Sequence, residues 1–274
     1  HKEYRRQRQM CIRDSNKTER LIKTIKKRQM HLSDLLNKIG QLEFEFPVLH
    51  SLRNDFKPAL EDQAAIGSKN VGVIFFENTD FTYEGLERAN QYDLIITGST
   101  WNLDILKSKG INHVKNVFQG IDETILSPNL KKNFYHNRFT IFSGGKLEYR
   151  KAQDIVIPAF REFHSRHEEA LLIFAWANQW LPIMRTISHS KFIKGLPEAQ
   201  VDNSISLSPW LEMNGLPKNS FIDLGALPNK EMPMHLVSAD AAIFPNRCEP
   251  GTNLVAMEAM AVGLPVILSS NTGH

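Results

Sequence analysis

From residue 70 onward, short apolar runs alternate with amphipathic stretches at nearly regular spacing. Val71-Gly72-Val73-Ile74-Phe75-Phe76 is a continuous apolar run, the pattern of a strand covered on both faces. It predicts a helix over 83–90, a strand over 92–97, a helix over 101–109 ended by Gly110, and a strand over 114–118. A second series starts with a strand at 139–142 and passes through Ser143-Gly144-Gly145-Lys146 into a helix over 152–164. A strand over 171–174 follows, then a stretch expected to be helical with turn breaks over 181–219. The strand 221–224, the helix 232–239, the strand 241–244, a helix containing Glu258 and the strand 265–268 complete the series. Strands that alternate with helices imply parallel sheets with helices on both faces. The chain is therefore expected to be α/β, two doubly wound Rossmann-like units in tandem, with ligand at the carboxyl ends of the strands.

The polar stretch 127–137 interrupts the pattern and reads as a linker. It divides a first unit over 16–126 from a second over 138–274. The first unit shows only three clear strands after residue 70, so it is expected to be incomplete; the second is expected to be cut short after its last strand. Upstream, residues 16–39 have helical period with a basic polar face, read as an ordinary packed helix. Pro47-Val48-Leu49-His50 reads as a short strand, with His50 at its end either facing a substrate cleft or an ordinary surface or core residue.

At 274 residues, 42% hydrophobic and 23% charged, the composition is that of a soluble globular protein long enough for two domains. No apolar run approaches a membrane span, and the basic N-terminus lacks the apolar core of a secretory signal. Two cysteines, Cys11 and Cys248, form neither a disulfide framework nor a metal set, and a cytoplasmic location is the default. Residues 1–15 resemble a translated sequencing adapter and are set aside as non-native. They carry the whole formal net charge of +3, leaving the remainder neutral. The basic balance is then no argument for a nucleic-acid partner.

Chemistry concentrates in two turns of the second unit. After the strand at 241–244, the loop holds Glu249 and Gly251 and runs into an Ala- and Met-rich helix carrying Glu258. Backbone amides and the positive end of a helix attract phosphate oxygens, a glycine permits close backbone approach, and carboxylates accept hydrogen bonds from sugar hydroxyls. Between Thr252 and His274 no other charged residue accompanies Glu258. A lone carboxylate in an apolar helix is costly to bury without a polar partner, which suggests a ligand. The earlier turn places Lys146, Arg150 and Lys151 within six residues beside Gly144 and Gly145, a set suited to a pyrophosphate. No Gly-x-Gly-x-x-Gly follows a strand and no Gly-x-x-x-x-Gly-Lys-Ser/Thr occurs, so dinucleotide oxidoreductases and P-loop enzymes lose their main support.

Together the two turns resemble those of retaining GT-B glycosyltransferases, family 4, the glycosyl transferases group 1. The family's Gly-Arg-Leu followed by Lys-Gly is matched by Gly145-Lys146-Leu147 and Lys151-Ala152. Its Asp, strand, Pro, Glu, glycine loop, Glu-Ala-Met-Ala and Gly-x-Pro-Val are matched by Asp240, residues 241–244, Pro245, Glu249, Gly251, Glu258-Ala259-Met260-Ala261 and Gly263-Leu264-Pro265-Val266. Gly120-Ile121-Asp122 is similar to the segment closing the family's first domain, and Leu224-Gly225 to its base-side strand. Two departures stand out. The first cation is Lys rather than Arg, and eight residues separate Glu249 from Glu258 where the family has seven.

The resemblance implies an enzyme of hexosyltransferase type that moves a sugar from a nucleotide-diphosphate sugar to an acceptor with retained configuration. The second unit would bind the donor and the first the acceptor. Lys146 and Lys151 would neutralise the diphosphate, and Gly145 would let it approach. Glu249 would face the sugar, the amides of Gly251, Thr252, Asn253 and Leu254 would bind hydroxyls and phosphate, Glu258 would hold the ribose and Gly225 would lie on the base side. Glu249 and Lys151 are the catalytic candidates. Neither metal nor cofactor is implied beyond the donor substrate. The acceptor, whether glycan, lipid or another molecule, stays open, as does peripheral membrane contact. Two alternatives remain at this point: a nucleotide-sugar binding module without turnover, and a nucleotide-sugar epimerase of the same architecture.

Overall fold

The structure is a computed structural model that describes residues 42–59, 65–128, 134–178, 180–199 and 205–274. Residues 1–15, the helix expected over 16–39, Cys11 and part of the stretch 127–137 lie outside these. The chain forms two compact units, the first running to Gln119 and the second starting at Gly120, with Pro250–Thr252 and Gly273 grouping with the first.

The first unit is a four-stranded parallel sheet in the order β2-β4-β5-β6, built from β2 (Val48–Ser51), β4 (Asn70–Ile74), β5 (Leu94–Thr97) and β6 (Val114–Asn116). Neighbours in this sheet follow one another along the chain, so these strands contain no reversal of winding. Two further strands, β1 (Leu42–Phe44) and β3 (Ala65–Gly67), pair in parallel outside it. Helix α1 (Tyr83–Ala89) starts at Thr82, whose hydroxyl accepts from the Gly85 amide, and α2 (Thr100–Ser108) starts at Ser99 in the same manner. Such caps satisfy amides that a helix start leaves unpaired. Phe56, Ile74, Phe76, Ile95, Leu106 and Ile111 form the core. His50 is buried in β2, where Nε2 lies 3.0 Å from Asn70 Oδ1 and the ring packs edge-on against Tyr92. It serves the interior of the sheet.

The second unit is a five-stranded parallel sheet in the order β11-β8-β7-β12-β13. Its strands are β7 (Phe139–Gly144), β8 (Ala170–Ala175), β11 (Phe221–Asp223), β12 (Ala241–Phe244) and β13 (Val266–Leu268). Within the unit this is third, second, first, fourth, fifth. The direction of winding reverses between β7 and β12. Side chains alternate along a strand, and β8 uses both faces: Leu172 and Phe174 join one core with Val156, Ile157, Phe160 and Trp210, while Leu171 and Ile173 join another with Phe142, Phe244, Ala256 and Ala259. The near-continuous apolar runs in the sequence reflect this two-sided burial.

Helix α3 (Gln153–His164) covers the first of these faces and α7 (Leu254–Ala261) the second. The stretch 181–219 is less helical than its sequence suggests. It contains α4 (Leu181–Met184), a 3₁₀ turn at Arg185–His189, an antiparallel pair of β9 (Glu198–Ala199) and β10 (Ile205–Ser206), and α5 (Ser208–Met213). Helix α6 (Met232–Leu236) is shorter than the expected 232–239. Among the described residues no helix is long and apolar enough to cross a membrane.

Candidate functional site

In an open doubly wound sheet, the crevice forms where the winding reverses, at the carboxyl ends of the two strands concerned. Here those strands are β7 and β12, and the loops leaving them are the two turns that carry the chemistry. The turn after β7 closes on itself before α3. Gly145 adopts φ +122°, a conformation that strains any side chain. A 3₁₀ turn at Tyr149–Lys151 follows, and buried Ala152 takes the left-handed conformation at φ 61° before α3 starts. Gln153 braces the loop from below, with Nε2 donating to the Lys146 carbonyl at 2.8 Å.

The turn after β12 is held by its own carbonyls and by the segment after β13. Ser269 Oγ and Asn271 Nδ2 both donate to the Asn246 carbonyl, at 2.5 and 3.2 Å. The Glu249 amide donates to Thr272 Oγ1 at 2.8 Å. Asn253 then caps α7 from the left-handed region, at φ 43°, and its Nδ2 donates to His274 Nε2 at 2.9 Å.

These two turns meet at Glu249. Its side chain is 5% exposed and its carboxylate takes the Lys151 ammonium and the Asn246 side-chain amide on Oε1, with Arg150 Nη1 at 3.3 Å from Oε2. Arg150 also donates to Glu148 Oε1 at 2.6 Å and to the Cys248 carbonyl at 2.8 Å. Burial pushes the Glu249 carboxyl up, but the charges of Lys151 and Arg150 and the hydrogen bonds from Lys151 and Asn246 outweigh it and hold it below the ordinary carboxylate value. A preformed cluster of two cations, Lys151 and Arg150, and two carboxylates, Glu249 and Glu148, therefore sits at the reversal point.

Glu258 lies in the opposite electrostatic situation. It is one turn inside α7 and mostly buried, with no hydrogen bond or ion pair to another described residue. Burial raises its carboxyl to about 7. Such a group accepts a hydrogen bond readily from a ligand hydroxyl, because no described residue has claimed its lone pairs.

The remaining sequence candidates are placed as follows. Lys146 places its ammonium 4.0 Å over the Trp180 ring. Gly145 backs Lys151, since a Cβ there would stand 3.6 Å from Lys151 Cδ. Gly225 is at the carboxyl edge of the same sheet but two strands from β7, with φ 60° and its amide donating to Asp223 Oδ1. Gly251 and Asn253 are buried, Thr252 Oγ1 is buried with no hydrogen-bond partner among the described residues, and Leu254 opens α7. The sequence reads Arg150 only as one of three clustered cations suited to a pyrophosphate, and assigns no role to Asn246, Arg247 or Asp154. Asn246 lies in the same turn as Glu249, three residues before it, whereas the pairing of Arg247 with Asp154 becomes visible only once the turns are brought together. Among the described residues no group of three or more His, Cys, Asp or Glu side chains is arranged to hold a metal ion.

The family described as Glycosyl transferases group 1 matches residues 138–274, half of the chain. The chain belongs to that family. No curated protein sequence matches it. Among solved structures, HepE of Anabaena in complex with UDP and glucose is similar with a TM-score of 0.57 at 17% identity, over 75% of this chain and 54% of its own. Sucrose-phosphate synthase from Thermosynechococcus elongatus is similar with a TM-score of 0.60 at 15% identity, over 93% of this chain and 62% of its own. The UDP-forming α,α-trehalose-phosphate synthase from Burkholderia xenovorans gives 0.56 at 14% identity, over 83% and 59%. These likenesses identify the fold as GT-B. The chain spans between about half and two thirds of the length of these structural neighbours.

Proposed function

We propose that the protein transfers a sugar from a nucleotide-diphosphate sugar to an acceptor, with retained anomeric configuration and without a metal ion. One observation carries this reading: Lys151 and Arg150 converge on Glu249 at the reversal point of the second sheet, next to the start of a helix whose Glu258 carboxylate has no partner among the described residues. In this reading the two cations and the amides of Gly251, Thr252, Asn253 and Leu254 receive the diphosphate. Charge that develops on the leaving diphosphate as the sugar–phosphate bond breaks meets groups already oriented toward it, which is the most effective form of electrostatic catalysis. Glu249 faces the sugar and Glu258 accepts from the ribose hydroxyls. The neighbour solved with UDP and glucose supports a nucleotide-sugar donor, as does membership of the family.

The division of labour assigns donor binding to residues 138–274 and acceptor binding to residues 16–126, joined through 127–137, with catalysis in the cytoplasm. The experiment is direct. The protein is incubated with a panel of nucleotide-diphosphate sugars, in the presence and absence of a chelator, and nucleoside-diphosphate release is followed together with the anomeric proton of any product. Release on one donor that survives chelation, with an unchanged anomeric configuration, is the expected result. An unaltered panel together with no calorimetric binding of any nucleoside diphosphate would remove the proposal; interconversion of the donor's own sugar would identify an epimerase instead.

A further inference from the structure

Arg247 and Asp154 form a further ion pair beside the Glu249 cluster. Asp154 is fully buried in the first turn of α3. Arg247 reaches it with both arms of the guanidinium, Nη1 to Oδ1 and Nη2 to Oδ2, each at 2.7 Å. The same guanidinium donates to the Tyr149 carbonyl at 2.6 Å and stacks on the Tyr149 ring at 3.8 Å. The Arg247 amide donates to the Arg150 carbonyl at 2.8 Å. These contacts tie the turn after β12 to the 3₁₀ turn that carries Arg150 and Lys151, through the Tyr149 and Arg150 carbonyls, and to the first turn of α3, through Asp154. The planar fork matches a carboxylate in a way that lysine cannot.

A pair of this kind is a poor source of stability. Taking two charges out of water consumes much of what their attraction returns, and replacing both by apolar groups is often neutral. What it does provide is a fixed distance and orientation between two loops. We propose that Arg247 is a positioning residue, which, locked on Asp154, sets the separation of Lys151 from Glu249 and so the geometry of the anion-binding cations. The inference rests on the proposed function for its ligand, but its geometric content is independent of the reaction.

The test uses inorganic pyrophosphate as the probe, with the whole chain in four forms: parent, Arg247→Lys, Arg247→Met alone and Arg247→Met combined with Asp154→Leu. Arg247→Met alone strands a buried carboxylate and is the variant most prone to unfold. The double variant removes both charges and is expected to keep the parent's melting temperature within a few degrees. It should bind pyrophosphate about tenfold more weakly. The Glu249 carboxyl, followed by carbon-detected NMR, should titrate at higher pH than in the parent, since Lys151 and Arg150 are no longer held against it. Arg247→Lys keeps the charge without the fork and should lie between the two in both measurements. An unchanged Glu249 titration in a folded double variant would overturn the inference, whatever happens to binding. Failure of the parent itself to bind pyrophosphate counts against the proposed function, while the titration still decides the role of Arg247.

Discussion

Lys151 and Glu249, ninety-eight residues apart in the chain, form an ion pair whose side chains are only 12% and 5% exposed. The cation assigned to a ligand's phosphates is thus held by a carboxylate of the protein. Glu249 both orients Lys151 and competes with any anion for it.

From that competition, Glu249→Gln should bind inorganic pyrophosphate more tightly than the parent, by about tenfold, because removing a negative charge about 5–8 Å from a phosphate charge is worth roughly 1–2 kcal/mol at an effective dielectric of about 40, between a protein surface and water. Transfer activity should fall in the same variant. Calorimetry and a release assay on one preparation decide it. Weaker pyrophosphate binding would mean that Glu249 supports the cations without competing for them.

Lys151→Ala should weaken binding of a nucleoside diphosphate by about 1.5–3 kcal/mol, the range for a charge-assisted contact, and leave nucleoside binding nearly unchanged. The fold should survive, since Arg150 stays 3.3 Å from Oε2 and keeps the buried carboxylate partnered. Comparison of the two ligands by calorimetry separates a phosphate contact from a general loss of structure. Equal losses on both would remove Lys151 from the phosphate site.

Glu258 makes stability and binding depend on pH. Its carboxyl is raised from 4.5 to about 7 by burial. Between those values the folded state holds the proton more tightly than the unfolded chain, so stability falls as pH rises through that window. Glu258→Gln removes the dependence, and its urea midpoint should gain on the parent's from pH 5 to pH 8. Parallel profiles would show that Glu258 is better solvated than its burial implies. A hydroxyl donating to the carboxylate would favour the ionised form, so donor binding near pH 6.5 should release protons, measurable from the buffer dependence of the binding enthalpy.

The sheet of the second unit was legible because its strands are buried on both faces. Runs such as Leu171-Leu172-Ile173-Phe174 feed both cores and cannot be read as anything half-exposed. The glycine turn after β7 and the carboxylate loop after β12 were legible as motifs, and their topology brings both to one reversal point. What stayed hidden has physical reasons. Strands β1, β3, β9 and β10 have only two or three residues each and pair outside the two main sheets, so no run buried on both faces marks them. The fork from Arg247 to Asp154 spans ninety-three residues, and neither residue carries a local signal of its partner. Lys146 looked equivalent to Lys151 by spacing, yet the chain turns between them, and one ammonium meets Trp180 while the other meets Glu249.

The residue that follows Lys151, Ala152, sits at φ 61° and ψ 32°. Left-handed backbone costs an L-residue roughly 1–2 kcal/mol, a penalty that glycine escapes. The same residue joins the 3₁₀ turn bearing Lys151 to the start of α3, so the strain is stored directly behind the cation. Its methyl group is fully buried, and deleting it gives back part of the gain through lost contacts, by an amount near the lower end of the core-truncation range. Ala152→Gly is therefore expected to stabilise the fold by about 0.5–1 kcal/mol, raising the melting temperature by a few degrees. Its pyrophosphate affinity should stay within twofold of the parent's, because Arg247 and Glu249 still hold the turn. Denaturant titration measures the first quantity and calorimetry the second. A destabilised Ala152→Gly would mean that the buried methyl contributes more packing than the left-handed backbone costs.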